Sequence, residues 1–369
     1  MLKTLPQVKI YLGSDPEFFF NDGEKTIGSE KIIPKEGLLA DYSSSKIVID
    51  GVQAELNPGA QTCRESMASE FKQCFKAIQT TLKEHKGIKA DFSQTIEITK
   101  TELDSLDPGS RVFGCMPSKN IHNPRAKIAV RDATKYPYRS AGGHIHIGVL
   151  PEQNYGAKAL VRKINKAIKD PKRLVPILDI IVGNTCVMID RDPGNIERRK
   201  VYGKAGEFRT PKHGLEYRTL SNFWLQNYKL MSLVMGLARM AVMICSTNSK
   251  TNRIEAKIKR AVKMRDITKA INENDFNLAF RNFRKIKRIL ASVTPHTDRL
   301  DYSFFPLTAK TMDDFEFFAL KGKDNWIKED PIKHWTTLNE QNNPMIGWEK
   351  FLINTVHADR LKEQKVEIM

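Results

Sequence analysis

The run Arg139-Ser-Ala-Gly-Gly-His-Ile-His-Ile-Gly148 constrains this chain more than any other stretch. In an extended strand successive side chains point to opposite faces, so His144 and His146 share one face and Ile145 and Ile147 the other. One face is apolar enough to enter a core, while the other carries two imidazoles. Gly142 and Gly143 leave space for a second backbone or a ligand to approach. The expectation is a half-buried strand lining a site, set against the plainer reading of two core histidines beside a bulge.

Three further segments repeat this design. In Val8–Phe20, Asp15 and Glu17 lie two apart around Pro16, a residue that suits a strand end, an edge or a bulge. In Lys46–Leu56, an extended reading puts Gln53 and Glu55 opposite Val52, Ala54 and Leu56. In Gly214–Trp224, Glu216 and Arg218 lie opposite Leu215, Tyr217 and Thr219. If these strands adjoin in one sheet, carboxylates, imidazoles and a guanidinium share one face. Carboxylates crowded in this way repel unless cations neutralise them. An oxygen-rich set with an imidazole suits Mg²⁺ or Mn²⁺ better than zinc.

Around these strands the periodicity turns helical. Helices are predicted from Met67 to Leu82, over 157–170, over 224–246 and across 254–291, the last of them strongly basic. The apolar runs at 174–189 and 230–245 are short and broken by polar residues, so they read as buried core elements rather than membrane spans. The polar stretch 247–253 separates a catalytic unit, 1–246, from a helical, basic C-terminal region, 247–369, packed on it or part of it. Trp326, Trp335 and Trp348 stand in irregular sequence there.

A net charge of +17 favours anionic partners: nucleotides, acidic metabolites or nucleic acid. The basic run 190–209, with Arg198, Arg199, Lys200, Lys204 and Arg209 around Gly203 and Gly206, suits phosphate or carboxylate recognition or simple solvation. Five cysteines without a C-x-x-C pair read as reduced thiols of a cytosolic protein. The first residues carry no secretory signal pattern, so a soluble protein is expected. Walker, dinucleotide-binding and nucleophile-elbow motifs are absent from the sequence.

The segments SDPEFFF, VQAELNPG, RSAGGHIHIG, the run from Arg198 to Arg209 and GLEYRTLSNFW occur in that order. Together they resemble the phage-type COOH–NH2 ligase (type 2) family, carboxylate–amine ligases of the glutamine synthetase and glutamate–cysteine ligase superfamily. The resemblance implies an α+β fold with a mainly antiparallel, glutamine synthetase-like catalytic sheet and packed helices. It implies ATP with Mg²⁺ or Mn²⁺, a carboxylate and an amine as substrates, an acyl-phosphate intermediate and, for a phage protein, the host cytoplasm. By the same resemblance Asp15, Glu17, Glu55, His144 and Glu216 would bind metal. Arg218, Lys204, Arg199 and His146 would face ATP, and Arg218, Arg209 and Arg139 the acyl phosphate or substrate carboxylate. The superfamily's first acidic motif is usually E-x-E, where this chain has Asp15-Pro-Glu17. Two other readings compete: a zinc hydrolase using His144 and His146 with Glu17 or Glu55 as base, and a nucleic-acid-binding protein without catalysis. The substrates' identities, the general base and the oligomeric state stay open.

Overall fold

Proline cannot donate to a β-ladder, and Pro16 ends one strand and starts another. The expected single strand is β1 (Tyr11–Ser14) followed by β2 (Glu17–Asn21), and the two belong to different sheets. The structure, a computed structural model, describes residues 10–40, 44–62, 64–113, 118–125, 132–150, 158–246, 254–291, 312, 316, 319–320 and 330–338. After β3 (Thr26–Ile27) and β4 (Leu38–Leu39) come β5 (Lys46–Asp50) and β6 (Gln53–Asn57). The extended segment expected over 46–56 is therefore a hairpin. Gly51, at φ +62°, takes the left-handed turn that a side chain disfavours.

The remaining strands are β7 (Lys89–Asp91), β8 (Thr95–Glu97), β9 (Lys119–Asn120), β10 (Tyr138–Ser140), β11 (Ile145–Gly148), β12 (Glu207–Arg209) and β13 (Gly214–Tyr217). One sheet runs β1-β11-β13-β12-β9 and is antiparallel throughout. A second runs β3-β2-β6-β5-β4, with β7 also on β2, and β8 pairs with β10. The site-bearing strands thus occupy two sheets rather than one. The chain crosses between them at Asp15-Pro16.

The helices are α1 (Arg64–Glu84), α2 (Lys100–Ser105), α3 (Lys158–Ile168), α4 (Pro171–Leu178), α5 (Asn184–Val187), α6 (Gly194–Val201), α7 (Tyr228–Ser246), α8 (Ile254–Ala261), α9 (Met264–Asn272), α10 (Phe276–Ala291) and α11 (Pro331–Thr336). A π-helical turn, Asp179–Gly183, joins α4 to α5. The fold is α+β, with mixed helices and antiparallel sheets.

Ile145 and Ile147 are wholly buried in the main core with the apolar faces of α3, α4 and α7. The run 174–189 lies in that core, as expected. Among the described residues, α7 is long and apolar enough to cross a membrane, and most of it is buried inside the protein. The basic run 190–209 forms α6, a turn and β12. Residues 247–253, Trp326 and Trp348 lie outside the described residues. Trp335 is fully buried, stacked on Phe75 at 5.2 Å, and its Nε1 donates to the Leu225 carbonyl at 2.7 Å. It ties α11 to α1.

Candidate active site

Antiparallel register assembles the site. Gly13, His146, Glu216 and Arg209 are successive partners across β1, β11, β13 and β12, so the side chains of the last three share one face. The chain then turns at Asp15, whose carboxylate lies between both histidines. Its Oδ1 is 3.1 Å from His144 Nδ1, and its Oδ2 is 3.1 Å from His146 Nε2. Glu216 Oε1 is 3.0 Å from Arg218 Nε and 3.6 Å from Arg209 Nη1. Arg218 also donates to Ser118 Oγ at 2.7 Å.

Gly143 sits where a Cβ would lie 2.3 Å from the Ser221 carbonyl oxygen. The expected close backbone approach at the glycine pair is made by the chain itself.

Across the sheet junction, Glu17 and Glu55 are register partners on β2 and β6. Glu17 Oε2 accepts from Gly142 N at 2.7 Å and Gln53 Nε2 at 2.8 Å, with the Tyr202 hydroxyl at 3.0 Å. Glu55 accepts from Asn57 Nδ2 at 2.8 Å. The Tyr202 ring stands edge-on to His144 at 5.9 Å and lies under the Arg198 and Arg218 guanidiniums. It links the two halves of the site.

Two groups of ligand-type atoms result. Asp15, His146 and Glu216 form one; Glu17, Asp50 and Glu55 form the other, and within each group the atoms lie within 4.8 Å of one another. Asp15 Oδ1, both ring nitrogens of His144, His146 Nε2 and Glu216 Oε1 are buried and make no hydrogen bond. Their contacts are close but misaligned, a situation that buried polar atoms avoid unless something else satisfies them. The two ligand groups together, five carboxylates and one imidazole, fit hard divalent cations.

Electrostatics point the same way. Burial, then the charges of Asp15, Asp50 and Glu17, push the Glu55 carboxyl up to about 9. Burial also raises Glu17, against the pull of the Gly142 amide. Burial opposes ionisation of Asp15, yet the two imidazoles hold it well below the usual carboxylate range. His144 is driven down to about 4, mainly by burial, and is neutral near pH 7. Burial lowers His146 too, but the Asp15 contact outweighs it and the net shift is upward.

Arg139 and Arg199 do not join this constellation. Arg139 is buried, and its guanidinium donates to the carbonyls of Tyr136, Tyr138, Arg111 and Ala133. Arg199 bonds Asn274 at 3.1 Å and lies near buried Asp190, which offsets part of the effect of its burial. Both are turned into the interior: the terminal nitrogens of Arg139 bond backbone carbonyls, and Arg199 Nη1 bonds the Asn274 side chain. Lys204 is exposed, and its carbonyl accepts from Thr219.

Asp50, Gln53, Tyr202 and His213 were not singled out as site residues in the sequence. His213 Nε2 lies 2.8 Å from His146 Nδ1. The polar phase of β6 carried a signal for Gln53; Asp50 and Tyr202 reach the site only through the hairpin turn and the end of α6.

No curated protein matches this sequence. Among solved structures, one titled "Crystal structure of novel glutamine synthase homolog" is similar at 9% identity and a TM-score of 0.31, covering 85% of this chain and 70% of that chain. The family that the chain resembles is the one whose model matches residues 130–274, from before the histidine strand to the end of α9: Phage phiEco32-like COOH.NH2 ligase-type 2.

Proposed function

We propose that this protein is an ATP-dependent carboxylate–amine ligase that forms an amide through an acyl phosphate on a face lined by divalent cations. The observation that carries this reading is the pair of adjoining ligand groups, one of them raising Glu55 to about 9, with Arg218 buried beside Glu216. The matched family, whose description names a COOH.NH2 ligase, supports it. Asp15, His146 and Glu216 would hold one Mg²⁺ or Mn²⁺, with His144 beside them. Glu17, Asp50 and Glu55 would hold another. When bound, these ions neutralise phosphate oxygens of ATP.

A substrate carboxylate oxygen attacks the γ-phosphorus, the bond to the departing ADP oxygen breaks, and an acyl phosphate forms. Arg218, fixed by Glu216 and Ser118, faces the charge on the transferring group. Arg209 is more exposed and suits the substrate carboxylate. An amine then attacks the acyl carbon, loses a proton, and expels phosphate to leave the amide.

Calorimetric titration of Mg-ATP into the wild type and Glu216→Gln at moderate salt tests this reading. Micromolar or tighter binding that requires Mg²⁺ and collapses in the variant is expected, followed by ADP release with the right acid and amine. Absence of ATP binding under every divalent cation tried would remove the proposal.

A further inference from the structure

Four helices present a cationic surface that the ligase reading leaves without a role. α3 packs on α4, Arg173 of α4 joins Glu255 of α8 at 2.7 Å, and α8 packs on α10, so the four adjoin. Their apolar faces point inward: Ile164 and Ile168, Leu174 and Val175, Ile258, and Phe283 with Ile286 and Leu290 are all buried. Helical geometry therefore turns Lys166, Arg260, Arg281, Arg284, Lys285 and Arg288 outward, and each is exposed. The four helices contain one carboxylate between them, Glu255, which is buried and already paired with Arg173 and Lys259. On α10, positions 281, 284, 285 and 288 form a row along one side, one helical turn apart.

The chemistry of this surface narrows its partner. The exposed large hydrophobic residues, Leu39, Val112, Ile196 and Leu320, lie on none of these helices. Phe276 and Phe280 are half-buried, and Phe276 lies under the Arg191 guanidinium at 3.8 Å. Among the described residues the surface therefore offers no apolar wedge for a bilayer and no open aromatic platform for unpaired bases. It offers cations in a row, which suit a regular line of phosphates. We propose that the α3–α4–α8–α10 face docks the phosphate backbone of duplex nucleic acid without reading its sequence. The inference is independent of the ligase site.

The test is fluorescence anisotropy of a labelled duplex DNA with the full chain over a range of KCl concentrations. Binding is expected with log K falling linearly against log salt, at roughly −0.9 per phosphate neutralised. Changing Arg281, Arg284, Lys285 and Arg288 together to Gln should weaken binding about tenfold or more and flatten the slope by about 4. A control with Lys31→Gln and Lys35→Gln, two exposed lysines between β3 and β4 and on none of these helices, should leave both unchanged. If the fourfold variant does not melt cooperatively, Arg281→Gln and Arg288→Gln singly should each flatten the slope by about 1. No duplex binding at low salt overturns the proposal. So does an equal loss in the control, or tighter binding to single strands or to phosphatidylglycerol vesicles than to duplex.

Discussion

Glu17 and Glu55 stand directly opposite each other across the antiparallel pair of β2 and β6. Like charges in that relation destabilise a sheet, and Asp50 adds a third carboxyl to the group. The protein accommodates them by keeping Glu55 protonated to unusually high pH. A site strained in this way gains stability from any ligand that supplies positive charge.

The first prediction concerns pH. The Glu55 carboxyl is raised from 4.5 to about 9 in the folded protein. The folded state therefore holds that proton more tightly than the unfolded chain, and the stability this contributes is full below 4.5. It is lost as pH rises through about 9. Metal-free wild type should accordingly lose stability across that window, and Glu55→Gln should show a flatter profile. Urea melts in chelator across the pH range measure it; identical profiles for both proteins would contradict the assignment.

Cation binding should displace that proton. At pH 7.5, titration of Mg²⁺ or Mn²⁺ in buffers of different ionisation enthalpy should reveal proton release from the wild type and about one proton less from Glu55→Gln. Equal release from both would separate Glu55 from the cation site.

Tyr202→Phe removes the hydroxyl that lies 3.0 Å from Glu17 Oε2 and 2.8 Å from the Ser140 carbonyl. The loss should destabilise the fold by about 1 kcal/mol. It should also weaken Mn²⁺ binding several-fold, because Glu17 Oε2 then loses one of the donors that hold it. Denaturant melts and Mn²⁺ titration read the two effects separately. A stability loss with Mn²⁺ affinity unchanged would make Tyr202 a purely structural residue.

Two arginines should part company. Arg139→Lys gives up several bonds to buried carbonyls and should cost about 2 kcal/mol or more, with Mg-ATP affinity preserved in the folded fraction. Arg209→Gln, in the partly open pair with Glu216, should change stability by under about 1 kcal/mol and act on substrate use. Thermal melts and ADP-release kinetics distinguish these outcomes.

We expect the C-terminal region to be one body with the sheet, because Trp335 is buried against Phe75 and Phe71 and bonded to Leu225. Trp335→Ala should cost about 3–5 kcal/mol, and residues 1–246 alone should fail to melt cooperatively. A sharp calorimetric transition in that fragment would instead place a domain boundary at its end.

Period-two alternation in the sequence pointed to side chains that share a polar face, Gln53 with Glu55, His144 with His146 and Glu216 with Arg218, but it also paired Asp15 with Glu17, which the break at Pro16 divides between two sheets. It also placed the helical stripes and the buried run 174–189. These are local properties, because the pleat and the helical turn repeat within a few residues. Only the tertiary structure decided that β1 and β2 enter separate sheets, that Gly51 folds Lys46–Leu56 into a hairpin, and that Asp50 thereby joins Glu17 and Glu55. It also brought Tyr202 to Glu17 across 185 residues of chain, and committed Arg139 and Arg199 to interior carbonyl and amide oxygens. A basic run or a buried arginine looks alike in sequence whether it faces a phosphate or a backbone carbonyl. Strand register over long separations is what tells them apart.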